Sequence, residues 1–256
     1  MDMTDSAAFA LHRPNLAQNL SAGDDKLRKL MAASVRVVSS GSTLIESDSI
    51  HDYVYRLRTG WVARVRTLED GRAQFILIFL PGDLFAVKSM FVTHHPDAVH
   101  ALSDAVVEQI DYRRLKEAYD RDPDIALRCT WQIVEEERRL HNWVVGLGRG
   151  SAEERLSLLF LDFRARLVLS GTLPDGALSF EVPMTQEQIA DHVGLSTVHV
   201  NRVLRNLREL GVATLRGKTV TIQNEKALRR LSYPLLDSFE RCSSKFGRSP
   251  EGAEGS

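Results

Sequence analysis

The chain is poor in cysteine, has no long apolar run, and carries almost no net charge. Its only two cysteines, Cys129 and Cys242, stand far apart with no third or fourth partner, which excludes a disulfide framework and a cysteine-ligated zinc or iron-sulfur centre. No uninterrupted apolar stretch approaches the ~20 residues of a membrane helix, so no membrane span is expected. The N-terminal "MDMTDSAAFALHRPNLAQNLSAGDD" places acids where a secretory signal carries positive charge and lacks an apolar core followed by a cleavage site. A cytoplasmic location is expected. No nucleophile is paired with a base, no metal-ligand spacing occurs, and the lone "GLGRG" lacks the preceding strand that a dinucleotide site needs. Neither an enzyme, nor a cofactor, nor a bound metal is therefore expected. The neutral balance, −1 over 256 residues, is not that of a wholly basic nucleic-acid binder.

The charge is unevenly spread. Between Thr185 and Ser232 eight basic residues face four acids, a surplus of four in an otherwise balanced chain. The length suits two modest domains, and the periodicity divides accordingly. From about Val35 to Asp111 it is that of strands: "YVYRLRTG" and "WVARVRTLEDGR" alternate apolar and basic residues, and "AQFILIFLPGD" is a fuller apolar run stopped by Pro81 and Gly82. Gly60, Gly71 and Gly82, spaced by eleven, mark strand ends. "AVVEQIDY" reads as a further strand, and short strands with regular turns make a compact β roll or barrel.

After Asp111 the pattern becomes helical. Pro123 opens a run of about seven turns, "PDIALRCTWQIVEEERRLHNWVVGLG", at ~3.6 residues per turn. Ala126, Ile133, Leu140 and Leu147 recur every seven residues with Cys129 and Trp143 between them, an apolar seam that Glu136 interrupts. One side of this helix is expected to lie on the roll and the seam against a second copy. "GLGRGS" reads as a hinge before a helix capped by Ser151 and Glu154.

The chemistry is concentrated in "TQEQIADHVGLSTVHVNRVLRNLREL". Thr185 and Gln188 form a capping-box pattern, Gly194 suits a left-handed helix end, and Ser196 caps a second helix that buries Val200, Val203, Leu204 and Leu207. Thr197, Val198, Asn201, Arg202 and Arg205 are left pointing outward from its N-terminal half, the half that a recognition helix inserts into a major groove. Arg202 can give two hydrogen bonds to guanine O6 and N7, Asn201 can pair with adenine or a phosphate, and Val198 can meet only an apolar feature such as a thymine methyl. "VATLRGKTVTIQN" follows as a hairpin whose Arg216 and Lys218 suit phosphates, which give affinity and orientation rather than sequence choice. A helix pair with a basic outer face also occurs in proteins that bind no DNA. The joint order of capping box, short glycine turn, polar face and basic hairpin favours double-stranded DNA.

A β roll, a long seam helix and a winged helix-turn-helix in this order resemble the Crp/Fnr family of bacterial transcription regulators, over about residues 35–223. The segments "YRLRTGWVARVR", "DGRAQFILIFLPGDLF", "MTQEQIADHVGLSTVHVNRVLRNLRELG" and "GKTVTIQN" carry the resemblance. It implies an α+β fold: an N-terminal β roll like a cyclic-nucleotide-binding domain, a long dimerisation helix, and a C-terminal winged helix-turn-helix. It also implies a homodimer on a palindromic operator and contact with RNA polymerase. The DNA-binding positions so indicated are Thr185, Gln186, Ser196, Thr197, Val198, His199, Asn201, Arg202, Arg205, Arg216 and Lys218. Boundaries are expected at a flexible tail 1–23, roll 24–122, dimerisation helix 123–148, DNA-binding domain 149–232 and flexible tail 233–256.

Departures from the family pattern narrow the signal. Cyclic-nucleotide-binding members carry Gly-Glu for the ribose and an Arg for the phosphate. Here Ala86, Val87 and Lys88 stand at the first position and His95 and Pro96 at the second, and an imidazole is a poor substitute for a fixed guanidinium. The family's iron-sulfur sensors need a cysteine cluster absent here, and their recognition helix has Glu and Ser where Val198 and Asn201 stand. Lys88, Ser89 and His95 remain as a candidate pocket for an unidentified small-molecule effector. His94, His95 and His100 read as a solvated turn rather than as metal or haem ligands. The rival reading is a small-molecule-binding regulatory module without direct DNA function.

Overall fold

The computed structural model describes residues 16–235. Cys242, residues 1–15 and the greater part of the expected C-terminal tail, from residue 236 on, lie outside them. The structure corrects the expected N-terminal tail of residues 1–23. Helix α1 (Ala17–Met31) spans most of its second half, with Leu20, Leu27 and Met31 buried. It lies along a later helix, α3 (Pro123–Arg149). At Gly23 the two come so close that a Cβ would sit 2.2 Å from the Asp124 carbonyl oxygen, so only glycine fits. Ion pairs of Lys26 with Asp122 and Asp124, both at 2.8 Å, and of Arg128 with Asp24 at 3.0 Å fix the register.

Strands β1 (Val35–Val38), β2 (Thr43–Ile45), β3 (Ser49–Ile50), β4 (Tyr53–Thr59), β5 (Val62–Thr67), β6 (Ala73–Phe79), β7 (Leu84–Phe85), β8 (His94–His95), β9 (Ala98–Ala101) and β10 (Ala105–Asp111) build the roll. Two antiparallel four-stranded sheets, ordered β1-β10-β4-β7 and β2-β9-β5-β6, enclose Leu57, Val62, Leu77, Phe79, Phe85 and Val107. Gly60, Gly71 and Gly82 all have positive φ at the turns the sequence marks. Strand β6 reads as a continuous apolar run because both its faces are covered. Leu77 and Phe79 face the roll interior, whereas Phe75 and Ile78 join the core of the C-terminal half. Arg64, a basic residue of the alternating β5 pattern, is buried too: its guanidinium lies 5.4 Å over the Phe79 ring and pairs with Glu136 of α3 at 3.0 Å. The acid that interrupts the apolar seam is thus turned toward the roll.

Asp111 caps α2 (Tyr112–Arg121), and Asp122 caps α3 by accepting from the Asp124 and Ile125 amides, with Pro123 at the first turn. The seam is corrected in part. Cys129 packs with α1 and the roll, Leu140 against the roll core, and Trp143 against the C-terminal core. Ile133 (45% exposed), Val144 (67%) and Val145 (51%), together with Val134 and Leu147, form the face left open. Burial in apolar surroundings pushes the Cys129 thiol up to about 11, which keeps it unreactive.

The glycine-rich segment expected as a hinge is shorter than its sequence. Helix α3 runs to Arg149, Gly150 alone bridges to the Ser151 cap, and α4 (Ala152–Leu169) begins with the capping box formed on both sides. Arg155 spans this joint, donating to the carbonyls of Leu147, Gly150 and Val193 at 2.9 to 3.2 Å. The C-terminal half continues with β11 (Ser179–Glu181), α5 (Gln186–Val193), α6 (Thr197–Glu209), β12 (Ala213–Arg216), β13 (Thr219–Ile222) and α7 (Glu225–Ser232), its sheet ordered β11-β13-β12. Its core is continuous with the outer face of the roll, where Trp61 meets Phe163 edge-on at 4.8 Å. At the start of the expected C-terminal tail, Tyr233–Leu235 form a 3-10 turn with Leu235 buried. Among the described residues no helix is long and apolar enough to cross a membrane.

Candidate nucleic-acid interface

The helix pair α5–α6 forms from local signals. Thr185 accepts from the Gln188 amide at 3.1 Å while the Gln188 side chain accepts from the Thr185 amide at 2.8 Å, satisfying two otherwise unpaired donors of α5. Gly194 ends α5 at φ 65°, ψ 45°, and the Leu195 amide reaches back to the Ala190 carbonyl. Ser196 then caps α6 by accepting from the His199 amide at 3.2 Å. Ile189 and Val193 of α5 meet Val200, Val203, Leu204 and Leu207 of α6 in the core.

This packing sorts α6 sharply. Val200, Val203 and Leu207 have no exposed surface, whereas Val198 is 80% exposed and Thr197, Asn201, Arg202 and Arg205 are exposed beside it. Asn201 donates from Nδ2 to the Thr197 carbonyl at 3.0 Å, and Arg202 donates from Nη2 to His199 Nε2 at 2.8 Å. The β12–β13 turn exposes Arg216 and Lys218 around Gly217. Thr185 is exposed and Gln186 half-buried at the N-terminus of α5, where free amides and the helix dipole favour an anion.

Sequence reasoning missed the ties between this unit and the roll. His192 on α5 is buried, donates from Nδ1 to the Phe75 carbonyl of β6 at 2.7 Å, and lies 4.4 Å from the Trp143 ring centroid of α3. Gln74 of β6 donates to the His192 carbonyl at 3.2 Å. Single side chains bridging distant segments leave no periodic signal. Of the three residues expected around an effector, two are bonded directly to each other, and the charge of Lys88 acts on His95. Ser89 and His95 are buried and bonded to each other at 2.8 Å, the Ser89 hydroxyl also reaching the Tyr53 carbonyl. Lys88 lies instead 3.8 Å from Asp97, which Arg66 also holds at 2.7 Å. Ala86 keeps a left-handed backbone, φ 59°, where a glycine would rest freely, and Val87 is buried where a ribose-binding carboxylate would be needed. These residues do not fit a cyclic nucleotide. Nor do the histidines converge: His94 is exposed and His100 bonds Thr43 at 3.1 Å. Among the described residues no three metal-ligating side chains come together.

Burial drives the two inner histidines down to about 4: for His192 it outweighs the Phe75 bond, and for His95 the charges of Lys88 and Arg64 add to it. Both stay neutral in the folded chain, while in the unfolded chain each protonates near 6.5. Their contribution to stability is therefore full above about pH 6.5 and is lost as pH falls toward 4. Urea midpoints are expected to drop between pH 7 and pH 5. His192→Gln, whose amide can still donate to Phe75, should flatten that drop; equal midpoints at the two pH values in the parent chain would contradict it.

A winged helix-turn-helix whose core is fused to a β roll through one long helix defines a class, the DNA-binding transcription regulators with an N-terminal sensory-type roll. Family models agree in both halves: residues 35–122 match a cyclic nucleotide-binding domain and residues 154–231 a Crp-like helix-turn-helix domain. The transcriptional activator protein FnrL of Cereibacter sphaeroides is 28% identical over 193 residues, 75% of this chain and 77% of that protein. The fumarate and nitrate reduction regulatory protein of Escherichia coli K12 is 25% identical over 195 residues, 76% of this chain and 77% of its own. The structure of FixK2 from Bradyrhizobium japonicum superposes with a TM-score of 0.70 at 27% identity, covering 77% of this chain and 96% of that one. The chain belongs to the Crp/Fnr family of transcription regulators.

Proposed function

We propose that the protein binds a palindromic DNA site as a homodimer, with α6 of each copy entering one of two successive major grooves, and that it acts on transcription in contact with RNA polymerase. The observation that carries this reading is the sorting of α6, fully buried on one face and exposing Thr197, Val198, Asn201, Arg202 and Arg205 on the other. In this reading Asn201, Arg202 and Val198 meet base edges, and Ser196, Thr197, His199 and Arg205 lie along the same groove wall. Thr185 and Gln186 face a phosphate from the α5 N-terminus, and Arg216 and Lys218 hold the flanking backbone. The roll serves as a platform for the dimer, since its buried Arg64 and Asp97 are already paired, with Glu136 of α3 and with Arg66. Selection of bound duplexes from a random pool tests the proposal: it should return an inverted repeat with half-site centres ~34 Å apart. A chain that forms no salt-sensitive, competitor-resistant complex with any duplex would sink it.

The open face of α3 supports the dimer. Ile133 and Val144 lie eleven residues apart, three turns on one side of the helix, and such a stripe exposed in a single copy is the seam that a second copy can cover. Glu137 and His141, 3.8 Å apart, lie on the stripe between them. Charging it at both ends, with Ile133→Glu and Val144→Glu together, is expected to yield a folded monomer by analytical ultracentrifugation. A variant that sediments as the parent chain does would place the dimer contact elsewhere.

A further inference from the structure

Asn201 and Arg202, adjacent on the outward face of α6, are held in different ways. Asn201 turns one Nδ2 proton back onto its own helix, at the Thr197 carbonyl, which leaves the second Nδ2 proton and Oδ1 for a base. Arg202 is held instead by a side chain, its Nη2 lying 2.8 Å from His199 Nε2. A guanidinium has only donors, so the imidazole Nε2 must be the acceptor. The two residues stand three apart, the spacing at which helical neighbours meet. The backbone of His199 is fixed and its ring is partly sheltered. Its backbone amide is taken by the Ser196 cap, and its ring is half-buried at the rim of the cleft between α6 and the β5–β6 turn. Arg66, Asp70 and Arg72 of that hairpin and Glu187 and Asp191 of α5 are the charged groups around this cleft.

We propose that His199 is a positioning residue for DNA reading: its Nε2 takes one Nη2 proton of Arg202 and turns the guanidinium so that the remaining donors face the groove. Arginine has many rotamers to lose on binding, and a partner that selects one of them in advance lowers that cost for the geometry it favours. The effect is on selectivity at the base pair that Arg202 reads, because other positions gain nothing from the orientation of this guanidinium. A glutamine at the same position keeps an acceptor within reach, whereas an alanine does not. This inference rests on the reading of α6 as the DNA-contacting helix.

The test uses the full chain and the duplex that it selects, with each half-site base pair substituted in turn and binding followed by fluorescence anisotropy. His199→Ala is expected to reduce discrimination at the Arg202 base pair ~5- to 10-fold, the upper part of the range for one ordinary intramolecular hydrogen bond, and to leave the other positions unchanged. His199→Gln should restore most of it. In an Arg202→Ala background His199→Ala should add nothing, since the residue it supports is gone. The inference is overturned by a uniform loss across all sequences, by the same loss in the Arg202→Ala background, or by a glutamine no better than alanine. Thermal unfolding checks that each variant is folded; the Ser196 cap uses only the backbone of residue 199 and is retained. A parent chain that selects no duplex overturns the DNA reading itself, which separates the two failures.

Discussion

Asp83→Ala is expected to destabilise the chain by about 3 to 5 kcal/mol, the scale of breaking a buried ion pair by removing one partner. Asp83 sits in the turn between β6 and β7 and joins three parts of the molecule. Its carboxylate accepts from the Leu80 amide at 2.8 Å, from Arg139 of α3 at 3.2 Å and from Arg166 of α4 at 2.6 Å. Both guanidinium side chains are only 10% exposed, so without Asp83 they keep their charge in a place with little water. Arg166 would retain Asp162 at 3.1 Å and the Ile78 carbonyl at 2.7 Å, and Arg139 would keep Glu135 at 3.9 Å and the charge of Asp162. Burial by itself would raise the Asp83 carboxyl; Arg139, Arg166 and the Leu80 amide outweigh it and hold the group at about 2. The folded value lies below the unfolded one near 3.8, so the stabilisation is present above that pH and is lost as pH falls toward 2. Urea titrations of parent and variant should therefore differ most at pH 7 and converge only toward pH 2, whereas an equal gap at both would show that Asp83 acts by packing alone. Asp83→Asn keeps an acceptor for Leu80 without the charge and should recover only part of the loss.

What could be read in the sequence was what is written locally. The Thr185–Gln188 and Ser151–Glu154 boxes, the left-handed Gly194 and the Ser196 cap each need only neighbours within a few residues, and the structure forms all of them. The outward positions of α6 followed from helical period for the same reason. Two features escaped because their cause lies far along the chain, and a third because a local turn divides residues that are neighbours in sequence. Helix α1 is polar enough to pass for a tail, and it is held by Asp122, Asp124 and Arg128, about a hundred residues later. The period of α3 shows which residues are apolar but not what covers each, and this helix has an N-terminal helix, a roll, a DNA-binding core and an open face to serve. Cys129, Leu140 and Trp143 consequently turn inward, and Val134, Val144 and Val145 take the open side. Lys88, Ser89 and His95 are close in sequence, but the 3-10 turn Val87–Met90 sends the first two in different directions, one to Asp97 and the other to His95.

Arg202→Ala is expected to cost ~1 to 3 kcal/mol at each half-site, about 2 to 6 kcal/mol across a palindrome bound by two copies. The loss should be unequal among sequences. A guanidinium that bonds O6 and N7 of guanine distinguishes that base from the other three, so its removal equalises affinity at one base pair of each half-site and leaves preferences elsewhere intact. Lys218 offers a contrast within the same domain. It is exposed on the turn after β12, two residues past Arg216, and among the described residues no partner aims it at a base edge; an ammonium near the backbone acts as a point charge on phosphate. Lys218→Ala should thus weaken all duplexes alike and reduce the slope of log affinity against log salt by about one per protomer, whereas Arg202→Ala should change the slope much less than it changes selectivity. Anisotropy titrations at several salt concentrations, on the selected duplex and its single-base variants, separate these behaviours. If both substitutions lowered affinity uniformly, Arg202 would be a phosphate contact, and the base-reading role would pass to Asn201 and Val198.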